Sequence, residues 1–238
     1  MKKAVISNSV IPGIEYDLNN IQFAFQPIFD IRTGDVFGFE ALMRPIWCTP
    51  LELIRYSENA NLLDKIEEAT FYYGTKAFIE AKLDGYLFLN SIPGTSMSTD
   101  VALATAEVGG TEMANRFYIE ILEYTKYNSD IWNRKKEMIY QTKASPKIAI
   151  DDFGTGENID ACCIETYKPD LVKIDRKYIS HIDINQENQI IVKGIITAMH
   201  KRGIEVLAEG VESKEEFLYL MHTGVDYMQG FYLGQPLT

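Results

Sequence analysis

The chain has 238 residues, of which 46% are hydrophobic and 24% charged, a composition that is typical of a globular protein. Its formal net charge of −11 argues against a sequence-independent nucleic-acid binder, which is usually basic, so DNA is not expected as a partner. No apolar stretch approaches the roughly 20 residues of a membrane-spanning helix, and the N-terminus lacks a signal peptide, so we expect a cytoplasmic protein that does not insert into membranes.

The three cysteines are predicted to be reduced thiols. The adjacent pair is hard to bridge, and no pair has the spacing of a zinc site. They are Cys48, Cys162 and Cys163.

Apolar, β-rich segments alternate with helical segments along the chain. FAFQPIF (23–29) and VFGFEALM (36–43) flank Thr33-Gly34-Asp35 and predict a hairpin, which two helices over residues 50–83 follow. The remaining predicted strands are YLFLNSI (86–92), RFYIEILE (116–123), KIAIDD (147–152), DLVKID (170–175), GIEVLAEG (203–210) and VDYMQGFYLG (225–234). Further helices are predicted around 99–108, 130–143, 186–202 and 214–222.

This alternation predicts an α/β fold built from parallel βαβ units. Either a doubly wound sheet or a (β/α) barrel would fit. The number of strands and the lack of a Gly-rich dinucleotide-binding motif favour the barrel. We predict an N-terminal extension over residues 1–20 and one domain over residues 21–238.

Polar side chains lie at or near the end of nearly every predicted strand. The C-terminal ends of the strands in a (β/α) barrel converge on one face, which holds the active site. Carboxylates dominate this set, and neither Cys nor His belongs to it. Its members are Glu40, Arg44, Asn90, Glu120, Glu123, Asp151, Asp152, Lys173, Asp175, Glu209, Glu212 and Gln229.

Carboxylate and amide oxygens are hard ligands, so this set favours Mg²⁺ or Mn²⁺ over zinc. Asp151 and Asp152 are adjacent like charges that end a buried strand, and such a pair repels unless a proton or a cation lies between its members. There are enough ligands for two ions, which would suit attack of water on a phosphodiester. Lys173 would orient the water or stabilise negative charge. Arg44 would bind a phosphate or form a salt bridge with a neighbouring acid.

Eight motifs, in order along the chain, resemble those of the EAL domain family, the cyclic-di-GMP-specific phosphodiesterases. They are QPIFD (26–30), FEALMR (39–44), FLNSIP (88–93), IEILE (119–123), IAIDDFGTG (148–156), VKIDRKYI (172–179), VLAEGVES (206–213) and MQGFYLGQP (228–236). The resemblance implies a modified (β/α)8 TIM-type barrel with one antiparallel strand near the N-terminus. It also implies hydrolysis of cyclic-di-GMP to the linear dinucleotide with Mg²⁺ or Mn²⁺, which lowers second-messenger signalling, and a homodimer.

The resemblance implies a role for each matching residue. One metal would be bound by Glu40, Asn90, Glu120 and Asp151. The second metal and the nucleophilic water would be served by Asp151, Asp152 and Glu209, with Lys173 on the water and Gln229 lining the site. Substrate would be contacted by Gln26, Leu42, Arg44, Phe153 and Pro236. Glu123 would steady the loop after DDFGTG, and Glu209 is either a metal ligand or a general base.

Several positions depart from the family pattern. Pro45 replaces the usual Trp after EALMR, Leu122 replaces the Thr of E-x-T-E, and Asn158-Ile159-Asp160 replace small serines. An alternative frame for the E-x-T-E motif begins at Glu123 and keeps a Thr, but it loses the last Glu. None of these changes removes a metal ligand. The alternatives to an active phosphodiesterase are a cyclic-di-GMP receptor without useful turnover, a protein-interaction domain, and an unrelated barrel metalloenzyme.

Overall fold

The computed structural model describes Leu18 and residues 20–122, 129–154 and 161–237. Within these ranges, eight strands close into a barrel in which the spatial order follows the chain order. The strands are β1 (Gln22–Asp30), β2 (Val36–Arg44), β3 (Tyr86–Ser91), β4 (Phe117–Ile121), β5 (Lys147–Phe153), β6 (Leu171–Ile174), β7 (Glu205–Ala208) and β8 (Tyr227–Met228).

Helices follow most of the strands and pack around the barrel. They are α1 (Pro50–Asn59), α2 (Leu63–Glu80), α3 (Thr99–Met113), α4 (Ser129–Gln141), α5 (Ala161–Tyr167), α6 (Arg176–Ile179), α7 (Gln186–His200) and α8 (Lys214–Leu220). Side-chain caps fix where several of them begin: Thr49 with Glu52, and Ser213 with Glu216, each form a capping box.

One strand of the barrel runs against the others. β1 pairs antiparallel with both β2 and β8, while every other neighbouring pair is parallel. The β1–β2 turn is fixed locally, because Asp30 accepts a hydrogen bond from the Arg32 backbone and Gly34 adopts a positive φ of 77°. The structure therefore confirms both the predicted hairpin and the modified (β/α)8 barrel.

The interior of the barrel has an apolar layer beneath a polar one. The apolar layer consists of Ile28, Phe88, Tyr118, Ala149, Leu171, Leu207 and Tyr227. On the parallel strands, the side chain two residues further along points to the same face, because strand side chains alternate with a period of two. Those positions are Asn90, Glu120, Asp151, Lys173, Glu209 and Gln229. The apolar layer therefore forms a floor under the polar side chains.

The last strand is much shorter than the predicted strand over residues 225–234. It ends at Met228, and the chain then turns at Gly230. A Cβ atom at Gly230 would lie 2.1 Å from the backbone oxygen of Val211, so only glycine allows this close approach. The backbone of Val211 also accepts a hydrogen bond from the amide of Tyr232. The chain after β8 therefore packs across the loop that follows β7 instead of continuing the ladder.

Candidate active site

The Lys173 ammonium is surrounded by four carboxylates at the C-terminal end of the barrel. Lys173 lies on β6 and its side chain is 1% exposed. Its Nζ atom is 2.6 Å from Glu209 Oε1, 2.7 Å from Glu120 Oε1 and 2.8 Å from Asp151 Oδ1. Glu40 Oε2 lies further away, at 3.6 Å. The four carboxylates come from β2, β4, β5 and the residue directly after β7, between 22 and 133 positions from Lys173 along the chain, and they meet around one cation.

Two side-chain amides also contact the carboxylate of Glu40. Gln229 Nε2 donates a 2.7 Å hydrogen bond to Glu40 Oε2, and Asn90 Nδ2 lies 3.4 Å from Glu40 Oε1. Glu40 and Gln229 are buried. This arrangement fixes the Glu40 carboxylate and holds it beside the carboxylates that contact Lys173.

A break in the β5–β6 ladder brings Asp151 and Asp152 to the same site. The pairing register shifts between Ile150 and Phe153, and Asp152 adopts a positive φ of 48°, which Asp tolerates better than most residues. One oxygen from each of Asp151, Asp152 and Glu209 lies within 4.8 Å of the others. Ligand oxygens of one octahedral cation are about 3 to 4 Å apart, so this trio is close to the spacing that a divalent cation needs.

Burial makes these carboxylates hard to ionise without a cation. It raises the pKa of Glu120 and Glu209 well above the usual range and also raises the pKa of Asp151, while Lys173 opposes the shift in each case. Burial alone would lower the pKa of the Lys173 ammonium, but the surrounding carboxylates raise it well above its usual value. The lysine is therefore charged at neutral pH, as the acidic sequence pattern predicts.

The donor set fits a hard divalent cation. Among the described residues, Glu120 Oε2 and Gln229 Oε1 are buried oxygens without a hydrogen-bond partner. An unsatisfied buried carboxylate oxygen is costly, and a cation would satisfy it. The other oxygens of the cluster come from carboxylates or from Asn90, and such ligands suit Mg²⁺ or Mn²⁺.

A cavity of about 220 Å³ lies beside the acidic cluster, between the barrel and helices α1 and α2. Arg44 and Leu42 line it together with Glu40, Asn90 and Asp151. Arg44 Nη1 donates a 3.1 Å hydrogen bond to the carbonyl of Met43, and the described residues contain no ion pair between Arg44 and an acid. Arg44 therefore lies beside the acidic cluster, and its contact with a phosphate stays a prediction.

The other predicted site residues lie further from this cluster or outside the described residues. Gln26 is buried opposite Glu40 in the β1–β2 ladder and donates to the carbonyl of Gly234. Phe153 packs in the hydrophobic core, and Pro236 is half-buried beside the C-terminal bridge between Phe25 and Leu237. Glu123, residues 158–160 and the side chains of Cys162 and Cys163 lie outside the described part of the chain.

Two strand-end acids have local roles instead. Asp175 caps α6 through the amide of Lys177, and Glu212 pairs with Arg176 at 2.6 Å. Sequence reasoning also missed Glu67, which lies on α2 and lines the cavity beside Asn90. Glu67 lies in the charged stretch Asp64-Lys65-Ile66-Glu67-Glu68, so the local sequence gives no signal that it is buried.

The raised carboxyl pKa values predict how a metal changes stability with pH. The carboxyl groups of Glu120, Asp151 and Glu209 bind protons more tightly in the folded protein than in the unfolded chain. Proton binding by these groups therefore stabilises the fold at low pH, and this contribution is lost as pH rises through the raised pKa values. Metal binding requires deprotonated carboxylates. We expect Mn²⁺ to raise the melting temperature more at pH 8 than at pH 5.5, as thermal unfolding with and without Mn²⁺ would show. An equal increase at both pH values would contradict the assignment of these acids as metal ligands.

Comparison with known proteins places this arrangement in a family. The model of the EAL domain matches residues 14–236. The chain is 25% identical over 234 residues to PdeN of Escherichia coli K12, which is named a probable cyclic di-GMP phosphodiesterase; the match covers 90% of this chain and 43% of PdeN. The chain likewise spans less than half the length of the other curated relatives that match most of it.

Solved structures with similar folds include ligand complexes. A standalone versatile EAL protein from Vibrio cholerae O395, in its c-di-GMP bound form, has a TM-score of 0.75 and 27% identity, with 92% of this chain and 93% of that chain covered. The manganese and cy-diGMP complex of Klebsiella pneumoniae BlrP1 has a TM-score of 0.74 and 26% identity, with 91% and 56% covered.

Among the described residues, no helix is long and apolar enough to cross a bilayer.

The family model covers most of the chain, and the barrel with its single antiparallel strand agrees with that match. The chain belongs to the EAL domain family.

Proposed function

We propose that this chain hydrolyses one phosphodiester of cyclic-di-GMP, giving the linear dinucleotide, with Mg²⁺ or Mn²⁺ as cofactor. The observation that carries the proposal is the convergence of Glu40, Glu120, Asp151 and Glu209 on one buried site, with Asp152 beside it. A relative named as a probable cyclic di-GMP phosphodiesterase and a manganese complex of a similar protein support both the substrate and the metal.

The residues divide into two groups that would hold two ions. Glu40, Asn90, Glu120 and Asp151 would hold one ion, and Asp151, Asp152 and Glu209 would hold the other. Asp151 belongs to both groups. Bound divalent cations supply Lewis acidity to the phosphodiester and lower the pKa of a coordinated water.

The remaining side chains would position the reactants. The three ammonium donors of Lys173 contact Glu120, Asp151 and Glu209, and its buried positive charge would stabilise the negative charge that develops as the water attacks. Glu209 would bind metal or accept the proton of that water. Arg44 at the cavity would bind a phosphate through its planar guanidinium, and the apolar side chain of Leu42 would contact the nucleotide beside it.

Incubation of the purified protein with cyclic-di-GMP tests the proposal. Linear dinucleotide should form with Mg²⁺ or Mn²⁺, and chromatography of the products would detect it. A parallel incubation with Ca²⁺ allows substrate binding to be measured by calorimetry under a second metal. Binding without product under Mg²⁺ and Mn²⁺ would indicate a receptor. No binding under any of the three ions would leave an interaction domain. The homodimer implied by the resemblance stays a prediction, which light scattering would check.

A further inference from the structure

A second buried ion pair lies behind the proposed metal site. Lys135 on α4 is 0% exposed and Glu67 on α2 is 1% exposed. Their side chains meet at 2.6 Å. A buried ion pair contributes little net stability, because apolar side chains of similar volume often stabilise a fold as well or better. Its presence between two helices therefore needs an explanation other than stability.

The pair hydrogen-bonds to Ser91, the last residue of β3, and to Ile92, which follows it. Glu67 Oε1 accepts a 2.7 Å hydrogen bond from the hydroxyl of Ser91, and Glu67 Oε2 accepts a 3.0 Å hydrogen bond from the amide of Ile92. Lys135 donates to the carbonyl of Ile92 and to Ser91 Oγ, both at 2.9 Å, and lies 3.3 Å from Thr95 Oγ1. Both backbone polar groups of Ile92 are thus bound to one charged pair.

Asn90 is the residue directly before this segment. Neighbouring strand residues point to opposite faces, so Asn90 faces the barrel interior while Ser91 faces the helices. Asn90 contacts Glu40 inside the barrel, and Ser91 contacts Glu67 outside it. Glu67 also lines the cavity that Asn90 and Asp151 line. Fixing Ser91 and Ile92 from outside therefore fixes the backbone from which the Asn90 amide reaches into the site.

We infer that Glu67 and Lys135 are positioning residues that hold Asn90 in the geometry of a metal ligand. The inference shares one premise with the proposed function, which is that Asn90 binds the metal. Outer groups that orient metal ligands typically change metal affinity by about 10- to 100-fold when they are replaced. Lys135 lies on α4, so the position of α4 relative to β3 should also affect metal affinity through this pair.

The test is a Mn²⁺ titration of the double variant Glu67→Gln, Lys135→Met, with free Mn²⁺ measured by electron paramagnetic resonance. The double change removes both charges together, so that no unpaired charge stays buried. We expect the Mn²⁺ dissociation constant to rise about 10-fold or more. A constant within about twofold of the wild type, together with a changed melting temperature, would show a purely structural role and overturn the inference.

The chain offers a matched control in the same helix. Lys65 and Glu68 form a 2.6 Å ion pair on α2, and Glu68 accepts from the amide of Ser98, further from Asn90. The variant Lys65→Met, Glu68→Gln should leave the Mn²⁺ constant unchanged. A rise equal to that of the Glu67 and Lys135 variant would overturn the inference, because any loss of α2 contacts would then have the same effect.

A mutant cycle with Asn90→Ala separates positioning from a general effect. Once the amide of Asn90 is absent, replacing Glu67 and Lys135 should weaken Mn²⁺ binding no further. If the loss of Mn²⁺ affinity caused by Asn90→Ala and the loss caused by the double change added in full, the inference would be overturned. If the double variant fails to fold, Ser91→Ala removes the two hydrogen bonds that Ser91 Oγ makes with Glu67 and Lys135 and should raise the Mn²⁺ dissociation constant a few-fold. An unchanged constant would overturn the inference.

Activity measured in parallel separates this inference from the proposed function. Wild-type protein that binds Mn²⁺ without hydrolysing cyclic-di-GMP would refute the proposed function, while the Mn²⁺ titrations would still decide the role of the pair. Wild-type protein that hydrolyses the substrate while the double variant keeps a normal Mn²⁺ constant would refute the inference alone. Wild-type protein that binds no Mn²⁺ would refute both.

Discussion

Replacement of Glu40 by alanine is expected to lower the rate of cyclic-di-GMP hydrolysis about 1000-fold or more while the barrel stays folded. Glu40 accepts a hydrogen bond from Gln229, lies beside Asn90 and is 3.6 Å from the Lys173 ammonium. A metal ion contributes several kcal/mol to the stabilisation of the transition state, and each 1.36 kcal/mol changes a rate about tenfold. Product formation at saturating Mn²⁺ would measure the loss.

A neighbouring acid provides the control for this prediction. Glu212 lies three residues after Glu209, but its partner is Arg176 on the exposed surface. Glu212→Gln should therefore hydrolyse cyclic-di-GMP at nearly the wild-type rate. Normal turnover by Glu40→Ala would mean that the carboxylates around Lys173 are not the metal site. Circular dichroism would establish that the Glu40→Ala barrel is folded.

Replacement of Lys173 by methionine is expected to cause the largest loss of stability in the metal-free protein. It removes the ammonium that contacts Glu120, Asp151 and Glu209. Removing one partner of a buried ion pair costs about 3–5 kcal/mol, which for a protein of this size lowers the melting temperature by about 6–20 °C. Thermal unfolding without metal at pH 7.5 would measure the change.

The loss should grow as pH rises. Without Lys173, the largest opposition to the upward shift that burial gives the pKa values of Glu120, Asp151 and Glu209 is lost. The folded variant then binds more protons than its unfolded chain, so its stability falls as pH rises through those pKa values. The exposed Lys193 offers a control, because Lys193→Met should change the melting temperature little at any pH. A loss for Lys173→Met that is equal at pH 5.5 and pH 8 would contradict this account.

Hydrophobic periodicity was enough to predict the alternating strands and helices, because each strand carries its pattern within its own residues, and the number of strands then favoured the barrel. Phe88 and Asn90 are two positions apart on β3, and Leu171 and Lys173 are two positions apart on β6. That spacing puts an apolar residue in the floor and a polar residue above it, so a strand that ends in a polar residue signals the site. The length of β8 was not predictable in this way, because its end depends on contact between Gly230 and the distant backbone of Val211.

The sequence predicted which residues belong to the site more fully than it predicted how they contact one another. The sequence indicates that acids end the strands, but it contains no local signal for the register shift that turns Asp152 toward Asp151. The pair of Glu67 and Lys135 was not predictable either, because its members are 68 residues apart and their burial depends on how α2 and α4 pack. Such long-range contacts depend on tertiary packing and leave little trace in a local pattern.

The carboxylates around Lys173 also have a consequence for the order in which ligands bind. When all are ionised, Glu40, Glu120, Asp151, Asp152 and Glu209 with the one lysine carry a formal charge of −4. A dianionic cyclic dinucleotide would be repelled by that charge, and the low local dielectric would strengthen the repulsion. Two divalent cations would cancel it. We therefore expect bound cations to strengthen binding of the nucleotide, so that a chelator would weaken that binding as well as prevent hydrolysis.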